Sequence, residues 1–390
     1  AAAAAPDPHE ADPLFATDLH RFHADAEAAL QQLVPPGVFT KVRKIADCIW
    51  GKVHLYRWQR PDLPDEPVIS KVMPGASVRH NTARESNDRR AHFNRGPHTP
   101  HEEDALNEIG VMCYLSRQED APAYLLKMRT AFEQGGTVSL MTVYIADGDL
   151  FTLVANSEQG LPQDQLMEFL HQELIAVEYL HRHHIAHRDI SMENTLITYA
   201  DDPKGQIRLM DFGQACATHS PDGDQVLRYF RAVGKAYYRA PECAVPRSAY
   251  TAHVTVPQSA APGDIVFGPL QQVTGQPNGY LCDVRLPDDA VAGQMCQASL
   301  AGYEPIRSDM FAVGVWFFIL VWQIPPWQFA MLTDQTFRFI YQRGMRGIPT
   351  LIQHWQRAPL PDRPQELLVR LMCPDPARRP PASTCLEEYF

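Results

Sequence analysis

The chain has 390 residues, with 35 Lys or Arg against 46 Asp or Glu and a formal charge of −11. Hydrophobic residues are 45% and charged residues 21%, which excludes global disorder and is enough apolar matter to build a core without disulfides or metal. The acidic balance excludes a mainly electrostatic nucleic-acid binder, which needs a basic face.

The 33 prolines exceed ordinary usage and predict long, punctuated loops. Eight cysteines show no C-x-x-C spacing, so reduced thiols in a cytoplasmic protein are expected. The histidines show no H-x-x-x-H on a helical face with a third ligand nearby. The longest apolar run, Phe311 to Trp322, is too short to span a bilayer and suits a buried helix, so no membrane is expected. The N-terminus lacks a basic segment and an apolar run of the signal-peptide kind, and the expected natural start lies upstream of the first Ala.

In chain order, residues 1–12 read as a tail. Leu14, Leu19, Phe22, Ala26, Ala29, Leu30 and Leu33 follow helical spacing and predict one amphipathic helix over 13–33, stopped by Pro35-Pro36-Gly37. Residues 1–37 thus form an N-terminal extension. Alternation from Lys41 to Met73 predicts strands. Residues 74–103 carry Arg79, Arg84, Arg89, Arg90 and Arg95 and read as a solvated basic insertion. Residues 104–116 predict a helix, Leu140 to Tyr144 a strand, and the spacing of Leu166, Phe169, Leu170, Leu174, Val177 and Leu180 a strongly amphipathic helix. Residues 244–307 hold seven Pro, six Gly, three basic and five acidic residues and read as a partly ordered inserted subdomain and candidate surface for a protein partner. Helices are expected again over 308–324, 334–343 and 364–373.

The chemistry is carried by His187-Arg188-Asp189-Ile-Ser-Met-Glu-Asn194, followed by Asp211-Phe212-Gly213 and Ala240-Pro241-Glu242. Ten fixed residues in one order with sensible gaps leave no room for coincidence. Moving a phosphoryl group needs charge neutralisation more than covalent help. Asp189 can accept the proton of an attacking hydroxyl, and Asn194 and Asp211 are hard oxygen ligands suited to Mg²⁺.

On these motifs the chain resembles the eukaryotic protein kinase superfamily, in a divergent Ser/Thr-type form, over about residues 38–390 apart from the two insertions. The resemblance implies a bilobal α+β fold: a small antiparallel-sheet lobe over 38–147 and a mainly helical lobe over 148–390. It implies ATP and Mg²⁺ as cofactors and protein hydroxyls as substrates. Asp309 matches the aspartate that anchors the catalytic loop, and Arg379 the arginine that pairs with Glu242. Lys71 in VISK matches the phosphate-holding lysine, with Glu108 as its partner. Thr142 falls at the gatekeeper, and Val143, Tyr144 and Ile145 at the adenine-binding hinge. Asp149 is placed for ribose or a substrate arginine, and Val53 and Leu196 to sandwich the adenine. Arg188 is placed to hold a phosphorylated loop residue, with Thr218, Ser220 and Tyr229 as candidates. Glu193 and Asp149 suggest a preference for basic peptides.

Three departures stand out. Of the glycine-rich phosphate loop only Gly51 remains, and Asp47 adds negative charge there. Ile69 replaces a small alanine above the adenine. Ser191 replaces the lysine two residues after Asp189, while Lys235 stands where a threonine is usual. This predicts a traded pair, with Lys235 as the cation beside Asp189 and Ser191 as the hydroxyl; the competing expectation is two unrelated losses. Two functions follow: an active Ser/Thr kinase, or a pseudokinase scaffold with weak or no phosphotransfer. A small-molecule phosphotransferase is a third, opposed by the Ala240-Pro241-Glu242 motif and Arg379.

Overall fold

The computed structural model describes residues 21–79, 103–247 and 250–390. The expected tail, the start of the first helix, and Arg84, Arg89, Arg90 and Arg95 lie outside these. The first lobe is one antiparallel sheet in the order β1-β2-β3-β5-β4, built from β1 (Val38–Cys48), β2 (Gly51–Gln59), β3 (Glu66–Pro74), β4 (Met128–Gln134) and β5 (Thr137–Val143). Lys71 pairs with Val53 on one side and Leu140 on the other. Directly opposed residues share a face, so this register puts Val53, Leu55, Ile69 and Lys71 on one side of the sheet.

Helices α1 (His23–Leu30) and α2 (Ala105–Ser116) pack beside the sheet, together with a single turn over Gly75–Arg79. Within the described residues α1 is shorter than the span expected from periodicity. Its turn closes at Gln32, ahead of the prolines that were expected to stop it. Asp104 caps α2 by accepting the Asn107 N–H at 2.9 Å, and His23 bonds the other Asp104 oxygen at 2.9 Å. Arg79, expected in a solvated flap, instead donates to Glu27 on α1 and to Glu133 on β4. The α1–α2 contact is close because Gly110 lacks a side chain: a Cβ there would lie 1.9 Å from the Phe22 carbonyl oxygen. Gly110→Ala is therefore expected to lift α1 off α2 at a cost of about 1–3 kcal/mol. Urea unfolding reads this directly, and an unchanged midpoint would show that the contact carries no weight.

The second lobe is mainly helical. Its helices are α3 (Leu150–Ala155), α4 (Gln163–Arg182), α5 (Pro305–Trp322), α6 (Gln335–Arg343), α7 (Gly347–His354), α8 (Asp362–Leu371) and α9 (Ala382–Tyr389). The apolar stripe on α4 lies wholly in the core. Helix α5 is apolar on all sides and buried at its centre, as a fully enclosed core helix must be. By length and composition it passes for a membrane span, but it is packed inside this lobe. Helices α7 and α9 were not expected from periodicity. Two short ribbons carry the 187–194 and 211–213 segments: β6 (Ile185–Ala186) with β9 (Cys216–Ala217), and β7 (Thr195–Thr198) with β8 (Gln206–Leu209).

The 244–307 insertion holds more order than expected. Strands β10 (Thr251–Thr255), β11 (Ile265–Gln271), β12 (Pro277–Arg285) and β13 (Met295–Leu300) close into a four-stranded barrel. Closure leaves no free sheet edge. Leu270, Leu281, Val284, Ala298 and Leu300 are buried within a core continuous with that of the helical lobe.

Candidate active site

The catalytic loop is positioned from below by Asp309 on α5. Its buried carboxylate accepts the backbone N–H groups of His187 and Arg188, each at 2.8 Å, and bonds His181 Nε2 at 3.1 Å. This clamp supports Arg188 in the left-handed region at φ 61°, a conformation that costs a non-glycine residue energy. The Asn194 amide nitrogen donates to both the backbone and the carboxylate of Asp189 at 2.8 Å. Its nitrogen being committed there, the amide oxygen is the atom left for a ligand. Burial pushes the Asp189 carboxyl above its usual range, while the charge of Lys235 pulls the other way.

Lys235 and Ser191 meet. The Lys235 ammonium donates to Ser191 Oγ at 2.7 Å and lies 3.9 Å from the Asp189 carboxylate. The Lys235 backbone N–H donates to the same carboxylate at 3.1 Å. Ser191 is buried, whereas the Lys235 side chain stays about a third exposed, at 32%. One cation and one hydroxyl thus stand beside the candidate base.

Lys71 lies on the shared sheet face and donates to Glu108 of α2 at 2.7 Å. Burial opposes its charge, but Glu108, Asp211 and Glu103 outweigh that and push the ammonium's pKa up. Asp211 and Lys71 are therefore electrostatic neighbours. Phe212 is fully buried, its ring 5.2 Å from that of His187. Asn107 on α2 donates to the carbonyls of Phe212 (3.4 Å) and Ala215 (2.7 Å), and the Asp104 N–H donates to Gly213 at 3.0 Å. These bonds tie the helix that bears Glu108 to the segment that bears Asp211.

Sequence reasoning missed Glu103 and Trp50. The Glu103 carboxylate lies 3.5 Å from Lys71, and the Trp50 indole, at the tip of the β1–β2 turn, donates to the Glu103 carbonyl at 2.8 Å. Burial and then Asp211 push the Glu103 carboxyl up to about 7. Two carboxylates thus meet one ammonium, with Asp211 an electrostatic neighbour of it. No local pattern marks this contact, because its partners are 53 positions apart.

Several expected roles are revised. Asp149 caps α3, accepting the Thr152 N–H at 2.7 Å and its hydroxyl at 2.9 Å, a role its Asp-x-x-Thr spacing could have signalled. The Val143 N–H, expected to face adenine, donates to Lys127 at 3.2 Å; the Ile145 backbone has no protein partner among the described residues. Gly51 has a packing reason to be glycine, because a Cβ would lie 2.0 Å from the Val72 carbonyl. Asp47 is exposed and paired with Lys44 at 2.6 Å, so its charge is compensated. Val53 and Leu196 are half-buried. Thr218 and Tyr229, offered as phosphorylation sites, are fully buried, and Ser220 bonds Asp222. Glu193 accepts from the hydroxyls of Tyr237 (3.3 Å) and Tyr238 (3.5 Å). Arg379 forms a bidentate pair with Glu242, both buried.

The residues fit the expected cofactors. Negative charge exceeds positive around Lys71, which is the imbalance a divalent cation relieves. Among the described residues no three His, Cys, Asp or Glu form an all-protein metal cage. Mg²⁺ does not need one, since it takes one or two protein oxygens and completes its shell with water and phosphate.

Comparison with known proteins points the same way. The model of the protein kinase domain family matches residues 85–256. The human serine/threonine-protein kinase MRCK alpha is 34% identical over 119 residues, 30% of this chain and 6% of that protein. Human cyclin-dependent kinase 20 is 33% identical over 138 residues, 35% of this chain and 36% of that protein. A titin homolog from Caenorhabditis elegans is 26% identical over 113 residues, 29% of this chain and 1% of that protein. The chain therefore spans well under two thirds of each of these relatives.

Proposed function

The chain belongs to the protein kinase superfamily, and from that premise we propose that it transfers the γ-phosphoryl group of ATP to serine or threonine hydroxyls of proteins. The observation that carries this reading is the convergence of Lys71, Glu108 and Asp211 in one cluster with Asp189, Asn194 and Lys235 in another. Asp189 accepts the hydroxyl proton, oriented by Asn194 and by the Lys235 N–H. Lys71, fixed by Glu108, holds the α- and β-phosphates. Lys235 balances charge on the side of the transferred group, and Ser191 fixes its ammonium. Mg²⁺, when bound with ATP, neutralises the phosphate oxygens; Asn194 and Asp211 would hold it. Positioning and charge are what phosphoryl transfer asks of a protein. Glu193 gives basic peptides a carboxylate to meet, without the help of Asp149.

A second reading, a binding module without phosphotransfer, is favoured by one observation. Glu103, held by the Trp50 indole, puts a second carboxylate on Lys71, the ammonium the kinase reading needs free for phosphate. Thermal unfolding with and without nucleotide separates nucleotide binding from its absence, because a ligand of the folded state alone raises the midpoint. The wild type is expected to shift upward with Mg²⁺ and ATP together, and Asp211→Ala to shift far less. No shift of the wild type at millimolar nucleotide would favour the module.

A further inference from the structure

The inserted barrel lies outside the phosphotransfer site, yet it holds the segment that leads to it. Arg228 is almost fully buried, and its guanidinium donates to the carbonyls of Ala301 (2.9 Å) and Gly302 (3.0 Å), to Glu304 (2.9 Å) and to Asp283 on β12. The next residue, Tyr229, exchanges two backbone bonds with Tyr303, at 2.9 and 2.8 Å. The Tyr303 hydroxyl donates to the Arg231 carbonyl at 2.7 Å and accepts from Arg188. Arg188 also donates to the Gln214 carbonyl at 2.7 Å and lies 4.8 Å over the Tyr229 ring. A carbonyl, a hydroxyl and an aromatic face are thus among its contacts.

Phosphorylation orders a loop by giving a buried arginine an anion to bind. Here the chain itself supplies a carboxyl, that of Asp283, against the neighbouring Arg228, and Tyr229 and Tyr303 pack against Arg188. We infer that the inserted barrel, through Asp283 and the adjoining Tyr303, is a built-in clamp that orders the 211–242 segment without any phosphate on it. Asp283 and Tyr303 are positioning residues, acting through Arg228 and Arg188. The meaning of the clamp for activity rests on the kinase reading, but the ordering does not, and it is measured separately.

The test uses the full chain, co-expressed with a phosphatase and shown by mass to be unphosphorylated, and follows amide hydrogen exchange. In the wild type the amides of 226–234 should exchange slowly, as slowly as in untreated protein. Asp283→Asn should speed them at least tenfold while leaving helix α4 unchanged. Tyr303→Phe, which removes one hydroxyl and keeps the packing, should speed them to a smaller extent. Fast exchange in 226–234 of the phosphate-free wild type would overturn the clamp. So would an Asp283→Asn variant whose segment stays protected, or one in which α4 loosens equally, because that is general destabilisation. These outcomes are independent of whether the protein transfers phosphate.

Discussion

Lys235→Ala is expected to lower phosphotransfer by about 10²–10³-fold, the usual loss when one preorganised charge-stabilising donor is removed. The ammonium is 3.9 Å from Asp189 and 2.7 Å from Ser191, so its loss leaves Asp189 without a nearby cation on that side. The decisive variant is the reciprocal exchange Ser191→Lys with Lys235→Thr. It restores one cation and one hydroxyl in the opposite order and should regain activity to within about tenfold of the wild type, a strongly non-additive pair. Ser191→Lys alone places a second ammonium against Lys235 and should be impaired. Steady-state kinetics on wild type, Lys235→Thr, Ser191→Lys and the double variant checks this. If the double variant is no better than the worse single one, the two positions do not form a traded pair.

A second large effect concerns Glu173 on α4. It is fully buried and neither carboxylate oxygen has a hydrogen-bond partner. Burial, and then the charge of Asp309, push its carboxyl from 4.5 up to about 8. The folded protein therefore holds a proton there that the unfolded chain releases. Stability from this group is intact below about pH 4.5 and falls as pH rises towards 8. At 1.36 kcal/mol per pKa unit the loss is on the order of 4–5 kcal/mol. Glu173→Gln removes the titration. The difference in unfolding free energy between variant and wild type should thus swing in the variant's favour from pH 5 to pH 8.5. A difference that stays constant across that range would mean that Glu173 is ionised or hydrated in the folded state.

Much of the site was legible because its chemistry is local. His187 to Asn194 is one loop, and Asp211-Phe212-Gly213 one turn, so the residue types alone carry the signal. Helix α4 was legible because its apolar residues repeat at the helical period. The trade between Ser191 and Lys235 could be suspected because two departures complemented each other, although 44 positions separate them. The barrel was less visible. Only Tyr280–Leu286 alternates clearly; Pro269 interrupts β11, and Pro277 opens β12. Contacts formed solely by folding left no trace: Trp50 on Glu103, Asp283 on Arg228, and Tyr229 beneath Arg188. Thr218 and Tyr229, offered as modification candidates, lie buried in the fold, because a hydroxyl in a loop sequence carries no mark of burial. Helix α7 begins Gly-Ile-Pro, and that proline in its first turn hides the helix from a reading that takes proline as a stop.

The most direct measurement is transfer of the labelled γ-phosphate of ATP to serine- and threonine-containing basic peptides, with wild type and Asp189→Asn side by side. The account predicts incorporation that requires Mg²⁺ and falls by several orders of magnitude in the variant. Wild-type incorporation no greater than that of Asp189→Asn would contradict it.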